Sequence, residues 1–256
     1  MRPMDQMKQD VEAGWVTFKS GADEIRGYLA CPKGATKLPA IVIAHENLGV
    51  IPHRQEATRR YAAQGFAAMT VDLYSRIGGK PPFGFEHPNP EERRSGAFLA
   101  ARDEQSVPDL EAGRRYLSTR SEVDAGRIGT LGYCLGGGPS LVWATQSPDL
   151  KACVILYALP ILPPHYTPDK KPRSRIDIAD KVRCPVQCHF GERDEVIPLD
   201  QVRSLDDALR KSGQPIELHV YSGAGHAFED AGHPNHHAAA ARQVFERSVD
   251  FFRRHL

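Results

Sequence analysis

No stretch of this 256-residue chain approaches the 18 or so consecutive apolar residues that a membrane-spanning helix needs. Met1 to Asp10 is polar and lacks the apolar centre of a secretory leader. These first ten residues are expected to form a flexible N-terminus. Surplus charge of either sign is also missing. Lys and Arg together number 33 against 32 Asp and Glu, for a formal net charge of +1. That balance offers no electrostatic footprint for nucleic acid or an anionic membrane. Cysteines are few and odd in number: Cys31, Cys134, Cys153, Cys184 and Cys188. None forms a C-x-x-C pair, which argues against a disulfide framework or a zinc ribbon and fits a reducing cytoplasm. The phosphate-cradling patterns G-x-G-x-x-G and G-x-x-x-x-G-K-[ST] are absent as well. No internal repeat and no interdomain linker is visible. Apolar content of 41% and charged content of 25% are those of a globular protein, and the length suits one α/β domain spanning 1–256.

The present features concentrate around Gly132-Tyr133-Cys134-Leu135-Gly136. A short apolar run, Arg127 to Leu131, precedes it, and a mostly apolar run, Pro139 to Thr145, follows. G-x-C-x-G between a strand and a helix has the shape of a nucleophile elbow with sulfur in place of oxygen. The flanking positions must be small because the nucleophile sits on a sharp, strained turn. That turn aims the N–H of the next residue, Leu135, and the positive helix N-terminus at the reacting centre. Against this stands a plainer reading, in which a lone Cys near glycines is a small buried hydrophobe. Two later segments favour chemistry. An apolar strand from Val186 ends at Gly191, and Asp194 follows; Leu218–Tyr221 ends in a small-residue loop that presents His226. Nucleophile, acid and histidine in that chain order, each after a strand, is the α/β-hydrolase order. Taken singly, such an Asp is often a turn former or helix cap.

Strand and helix patterns alternate along the chain. Trp15–Lys19 and Glu24–Cys31 read as an antiparallel edge hairpin. Pro39–Ala44, Phe66–Leu73, Arg127–Tyr133, Ala152–Tyr157, Val186–Phe190 and Ile216–Tyr221 read as buried strands. Helices are expected over Arg54–Gln64, Glu91–Glu104, Val107–Leu117, Asp200–Lys211 and His236–His255, and after the elbow. The pattern is that of a doubly wound, mostly parallel sheet with an antiparallel N-terminal edge. Residues 77–92, rich in Gly and Pro, form a long loop beyond a strand end, either a lid or an ordinary surface insertion.

With these residues in view, the chain from Ala40 onward resembles the dienelactone hydrolase family of α/β-hydrolases. Gly132–Gly137 resembles its nucleophile motif, Gly191–Pro198 its acid segment and Ala224–Phe228 its histidine segment. Ile41–Val50 resembles the strand and loop that carry the family's active-site glutamate, matched by Glu46. Asp72–Arg76 resembles the segment with a substrate-binding arginine, matched by Arg76. The resemblance implies an α/β-hydrolase fold and hydrolysis of an activated ester or lactone by Cys134, His226 and Asp194. The backbone N–H groups of Leu135 and Asn47 would form the oxyanion hole, Glu46 would help the thiol ionise, and Arg76 would orient the substrate. No cofactor and no metal is implied, and the partner is a small molecule, with neither nucleic acid nor membrane. The chain departs from the dienelactone-processing pattern after the histidine. Where that pattern has Ser and, three residues later, Arg, this chain has Ala227 and Asp230, with Glu229 beside the latter. Two acids in place of a carboxylate-binding arm lead to the expectation that neutral substrates are preferred.

Alternatives stay open at this point. The fold does not guarantee chemistry, so an idle scaffold that binds a small ligand is one. A thiol redox protein is another, but Cys134 has no resolving cysteine nearby in sequence. His233, His236 and His237 suggest a polar helix start rather than a metal site. His45 would shape the cleft, Cys184 and Cys188 would be buried, and the basic run Lys170, Lys171, Arg173 and Arg175 would be a solvated loop.

Overall fold

The computed structural model describes residues 10–84 and 86–256. The expected flexible N-terminus lies outside them except for Asp10, as does Phe85 of the Gly/Pro-rich loop. Ten strands and six α-helices follow in order: β1 (Val11–Ser20), β2 (Asp23–Pro32), β3 (Leu38–Ala44), α1 (Pro52–Ala62), β4 (Ala67–Val71), α2 (Pro90–Ala100), α3 (Asp103–Ser118), β5 (Val123–Tyr133), α4 (Gly137–Gln146), β6 (Cys153–Leu156), β7 (Ile161–Leu162), β8 (Arg173–Ser174), β9 (Val186–Gly191), α5 (Leu199–Arg210), β10 (Ile216–Tyr221) and α6 (Ala238–His255). Eight strands make one sheet in the order β1-β2-β4-β3-β5-β6-β9-β10, and β7 pairs with β8 in a separate ribbon. β1/β2 and β2/β4 are antiparallel, and every other pair in the large sheet is parallel. This is the α/β-hydrolase fold with its antiparallel N-terminal edge.

The central strands read as unbroken apolar runs because helices cover both faces. Ile41, Val42 and Ile43 of β3, Met69 of β4 and Val154 and Ile155 of β6 are fully buried. From β3 the chain crosses to β4 on one side, then returns past β3 to β5 on the other. The carboxyl ends of β3 and β5 therefore flank a topological switch point, where open α/β sheets leave a crevice. Residues 45–48 and Cys134 follow those two ends.

Helix boundaries depart from expectation at one place. The break between α2 and α3 falls at Ala101–Arg102, and Pro108 lies inside α3. A proline this close to the N-terminus forfeits only one early hydrogen bond. Asp103 and Glu104 sit favourably in the first turn. Asp103 is also gripped by both oxygens through Arg175, at 2.7 and 2.9 Å. Arg175 thus leaves the solvated basic run assigned to it: it is buried, whereas Lys170 and Lys171 are exposed.

Candidate active site

Cys134 stands between β5 and α4 with φ of +48°, a conformation side chains rarely adopt. The flanking glycines are required by contact. A Cβ at Gly132 would lie 2.5 Å from Gly136 O, and one at Gly136 would lie 2.5 Å from the backbone of Ala44. The elbow is therefore wedged directly against the end of β3. Cys134 Sγ lies 3.2 Å from His226 Nε2, and His226 Nδ1 lies 2.9 Å from Asp194 Oδ2. Asp194 Oδ1 in turn accepts from the N–H groups of Val196 and Ile197 at 2.8 and 3.0 Å. This locks the carboxylate that orients the imidazole. The Tyr157 ring meets His226 edge-on, 5.2 Å between centroids. Burial opposes a charge on His226, but the Cys134 sulfur and Asp194 outweigh it and raise the pKa to about 10.

The other four cysteines have no such setting. Burial pushes Cys31 up to about 11 and Cys184 to about 12, and raises Cys153 and Cys188 too. Their thiols stay protonated and inert. Cys184 and Cys188 are buried, as expected.

Cys134 opens on a cavity of about 100 Å³ lined by, among others, Glu46, Asn47, Arg54, Tyr157, His226 and Asp230. A larger cleft, about 650 Å³, lies between α3, α4 and the segment 173–178. It contains none of Cys134, His226 or Asp194, so chemistry selects the smaller space. Arg93, Arg94 and Phe98 of α2 and Leu159 and Tyr166 complete the smaller cavity's wall. Phe98 and Tyr166 stack at 4.5 Å. Among the described residues, none of 77–92 lines it.

Of the sequence-expected residues, the structure gathers Cys134, His226, Asp194, Glu46, Asn47 and Leu135 around this point. Arg76 is not brought there. Asp109 grips its guanidinium at 2.5 and 2.9 Å and Asp23 holds Nε at 2.6 Å, so the whole fork is occupied elsewhere. His45 is buried, with Nδ1 donating to Glu46 O at 2.5 Å and Nε2 accepting from Leu73 N–H at 3.0 Å. It braces the loop, and burial lowers its pKa, keeping it neutral. His237 caps α6 by accepting from Ala240 N–H, as a polar helix start should. Among the described residues, no cluster of three or more His, Cys, Asp or Glu could hold a metal ion, and no helix is long and apolar enough to cross a membrane.

Sequence reasoning missed Arg54. It is buried on α1, donates from Nε to Glu46 Oε2 at 2.8 Å, and has Nη2 3.6 Å from Glu229 Oε2. Its guanidinium carbon lies 3.3 Å from the Tyr133 ring centroid. No motif flags an arginine in the first turn of a helix; only tertiary burial reveals it. Arg54 also corrects the picture of two acids facing the substrate. Glu229 is buried and turned onto Arg54 and His53, and only Asp230 lines the cavity. Burial works against the Glu229 charge, yet Arg54 and then His53 hold its pKa down at about 2. The folded value lies below the unfolded one, so this stabilisation is complete above about pH 4.5 and fades as pH falls from there towards 2. Glu229→Gln should therefore lose about 3 kcal/mol at pH 7, a deficit that narrows steadily below pH 4.5 in denaturant titrations. A constant deficit across that window would refute the assignment.

Comparison with known proteins identifies the family. The model of the dienelactone hydrolase family matches residues 25–256. The "Putative carboxymethylenebutenolidase" of Escherichia coli (strain K12) is 31% identical over 96% of this chain and 88% of its own length. The "Probable 2-oxo-3-(5-oxofuran-2-ylidene)propanoate lactonase" of Bradyrhizobium sp is 26% identical over 97% and 96%. The crystal structure of a "Putative Dienelactone Hydrolase" from Klebsiella pneumoniae superposes with a TM-score of 0.86 at 28% identity, covering 96% of this chain and 99% of the other. With the fold, the strained cysteine turn and the order of acid and histidine already in place, this chain belongs to the dienelactone hydrolase family.

Proposed function

We propose that this protein hydrolyses a small activated ester or lactone through Cys134, His226 and Asp194. The observation that carries the reading is the continuous chain from Sγ through the imidazole to a locked carboxylate, 3.2 and 2.9 Å, on the wall of a cavity. His226 takes the thiol proton as Sγ attacks the carbonyl carbon, forming the C–S bond and an oxyanion. It returns that proton to the departing oxygen as the C–O bond breaks. Water then repeats the sequence on the thioester, and His226 gives the proton back to sulfur. Asp194 keeps the proton-bearing Nδ1 turned away so that Nε2 faces sulfur. The N–H groups of Leu135 and Asn47 receive the oxyanion, each contributing about 3–4 kcal/mol to the barrier reduction. Glu46, which lines the same cavity, takes the role of the family's active-site glutamate in helping the thiol ionise when substrate arrives.

Sulfur constrains the substrate. A thiolate attacks readily at neutral pH but also leaves readily from the tetrahedral intermediate. Forward collapse needs a good leaving group, so enol esters, activated esters and strained lactones fit and amides do not. The relatives named as a carboxymethylenebutenolidase and a lactonase support the lactone class. A cavity of about 100 Å³ supports a small substrate. Purified protein should turn over p-nitrophenyl acetate and a small neutral enol lactone. Failure on both would leave a ligand-binding scaffold without chemistry.

A further inference from the structure

The cavity beside Cys134 is bounded in part by a pair of stacked rings. Phe98 of α2 and Tyr166 both line it, with centroids 4.5 Å apart and planes only 5° from parallel. The same two residues line a second hollow, of about 10 Å³. Among the described residues, no other borders both spaces. The stack is therefore a partition, with the reacting sulfur on one side of it. The wall of the second hollow adds Ala101, Leu162 and Pro168, which are apolar, and the ion pair of Asp103 with Arg175. That ion pair also borders the cleft of about 650 Å³, so the hollow lies between the catalytic cavity and the cleft.

Several contacts hold the partition shut. α2 buries only Ala97 and Phe98, so the Phe98 ring is the large apolar side chain that seats this helix. Ser95 Oγ donates to His165 O at 2.6 Å, and His165 Nε2 lies 2.6 Å from Glu91 Oε1. Both contacts join α2 to the Pro164–Tyr166 turn that carries the second ring. The ion pair is about half exposed and adds little; burial of the two rings is the stronger tie. In an ester the acyl group stays on sulfur while the alcohol departs, so the closed side of the cavity suits the acyl group. We propose that the Phe98–Tyr166 stack is the specificity determinant that limits acyl length, stopping longer chains at the rings. It rests on the ester- or lactone-hydrolase reading and names the substrate class within it: compact rather than long-chain. The ground is packing. A chain that extends past the limit must displace two buried rings, and one methylene too many in a filled apolar pocket costs about tenfold or more in kcat/KM.

The test follows kcat/KM for p-nitrophenyl acetate, butyrate and hexanoate, each corrected for its alkaline hydrolysis rate. The leaving group is constant, so only acyl length varies. In the unaltered protein the hexanoate should fall below the acetate by about tenfold or more. Phe98→Ala opens the partition and should raise the hexanoate-to-acetate ratio by about tenfold or more. Phe98→Leu keeps a large apolar side chain to seat α2 and should raise the ratio less; it carries the comparison where the alanine variant folds poorly. Equal kcat/KM for acetate and hexanoate in the unaltered protein would overturn the limit. So would an unchanged ratio in folded Phe98→Ala or, failing that, in Phe98→Leu. A second readout needs no hydrolysis: alkylation of Cys134 by iodoacetamide and by N-hexyl iodoacetamide, which forms a C–S bond and releases iodide. Followed by peptide mass, the hexyl reagent should lag in the unaltered protein and catch up in the variant. That pattern without any ester turnover would remove the hydrolase reading and keep the limit. Ester turnover that ignores chain length would remove the limit and keep the hydrolase reading.

Discussion

In Cys134→Ala protein, turnover of an activated ester is expected to fall by about 10⁴-fold or more, with the fold intact. The side chain is partly exposed and contributes little packing, so its loss removes chemistry rather than core. Cys153→Ala is the contrasting case. Cys153 is fully buried in β6, with Sγ 3.7 Å from Ser140 O and no histidine contact. Its truncation should cost about 1 kcal/mol of stability and leave kcat near normal. Ester kinetics alongside thermal unfolding separate the two. Near-normal turnover by folded Cys134→Ala would sink the proposed mechanism.

The second large effect concerns His226 and Asp194. His226→Ala removes the proton carrier. Asp194→Asn replaces a carboxylate that bonds Nδ1 at 2.9 Å and two N–H groups at 2.8 and 3.0 Å. An amide there can present its NH₂ to Nδ1 and favour the wrong tautomer, with the proton on Nε2 facing the sulfur. Each change should lower kcat by orders of magnitude, about 10⁴-fold for loss of the correct tautomer in comparable triads. The double variant should be scarcely worse than His226→Ala alone, because Asp194 acts only through the imidazole. Losses that multiply in the double variant would show that the two do not work as a unit.

Much of this arrangement was legible in the chain because it rests on local rules. Alternating runs on β1 and β2 and unbroken apolar runs on β3 and β4 announce an edge and a centre. The elbow glycines announce a turn too tight for a Cβ. Asp194 and His226 each follow a strand end, which sequence order alone can mark. What escaped were positions set by packing across the fold. Arg54 reads only as the start of a helix until Glu46 and Glu229 close on it. Arg76 reads as a site residue until Asp109, on α3, captures it. The helix break reads as falling after Glu104, whereas it falls at Ala101–Arg102, and Arg175, distant in sequence, anchors the first turn of α3 through Asp103. In each case the deciding partner lies on another element, and no local pattern carries that information.

The strand order also governs when the site comes into being. Cys134 and His226 are 92 residues apart, and they meet only because β6, β9 and β10 dock in succession beyond β5. A nascent chain that has emerged only through β6 carries the sulfur but neither the acid nor the base. On the proposed mechanism, reactive chemistry would thus be withheld until β9 and β10 join the sheet, and such non-local pairings are intrinsically slow to form.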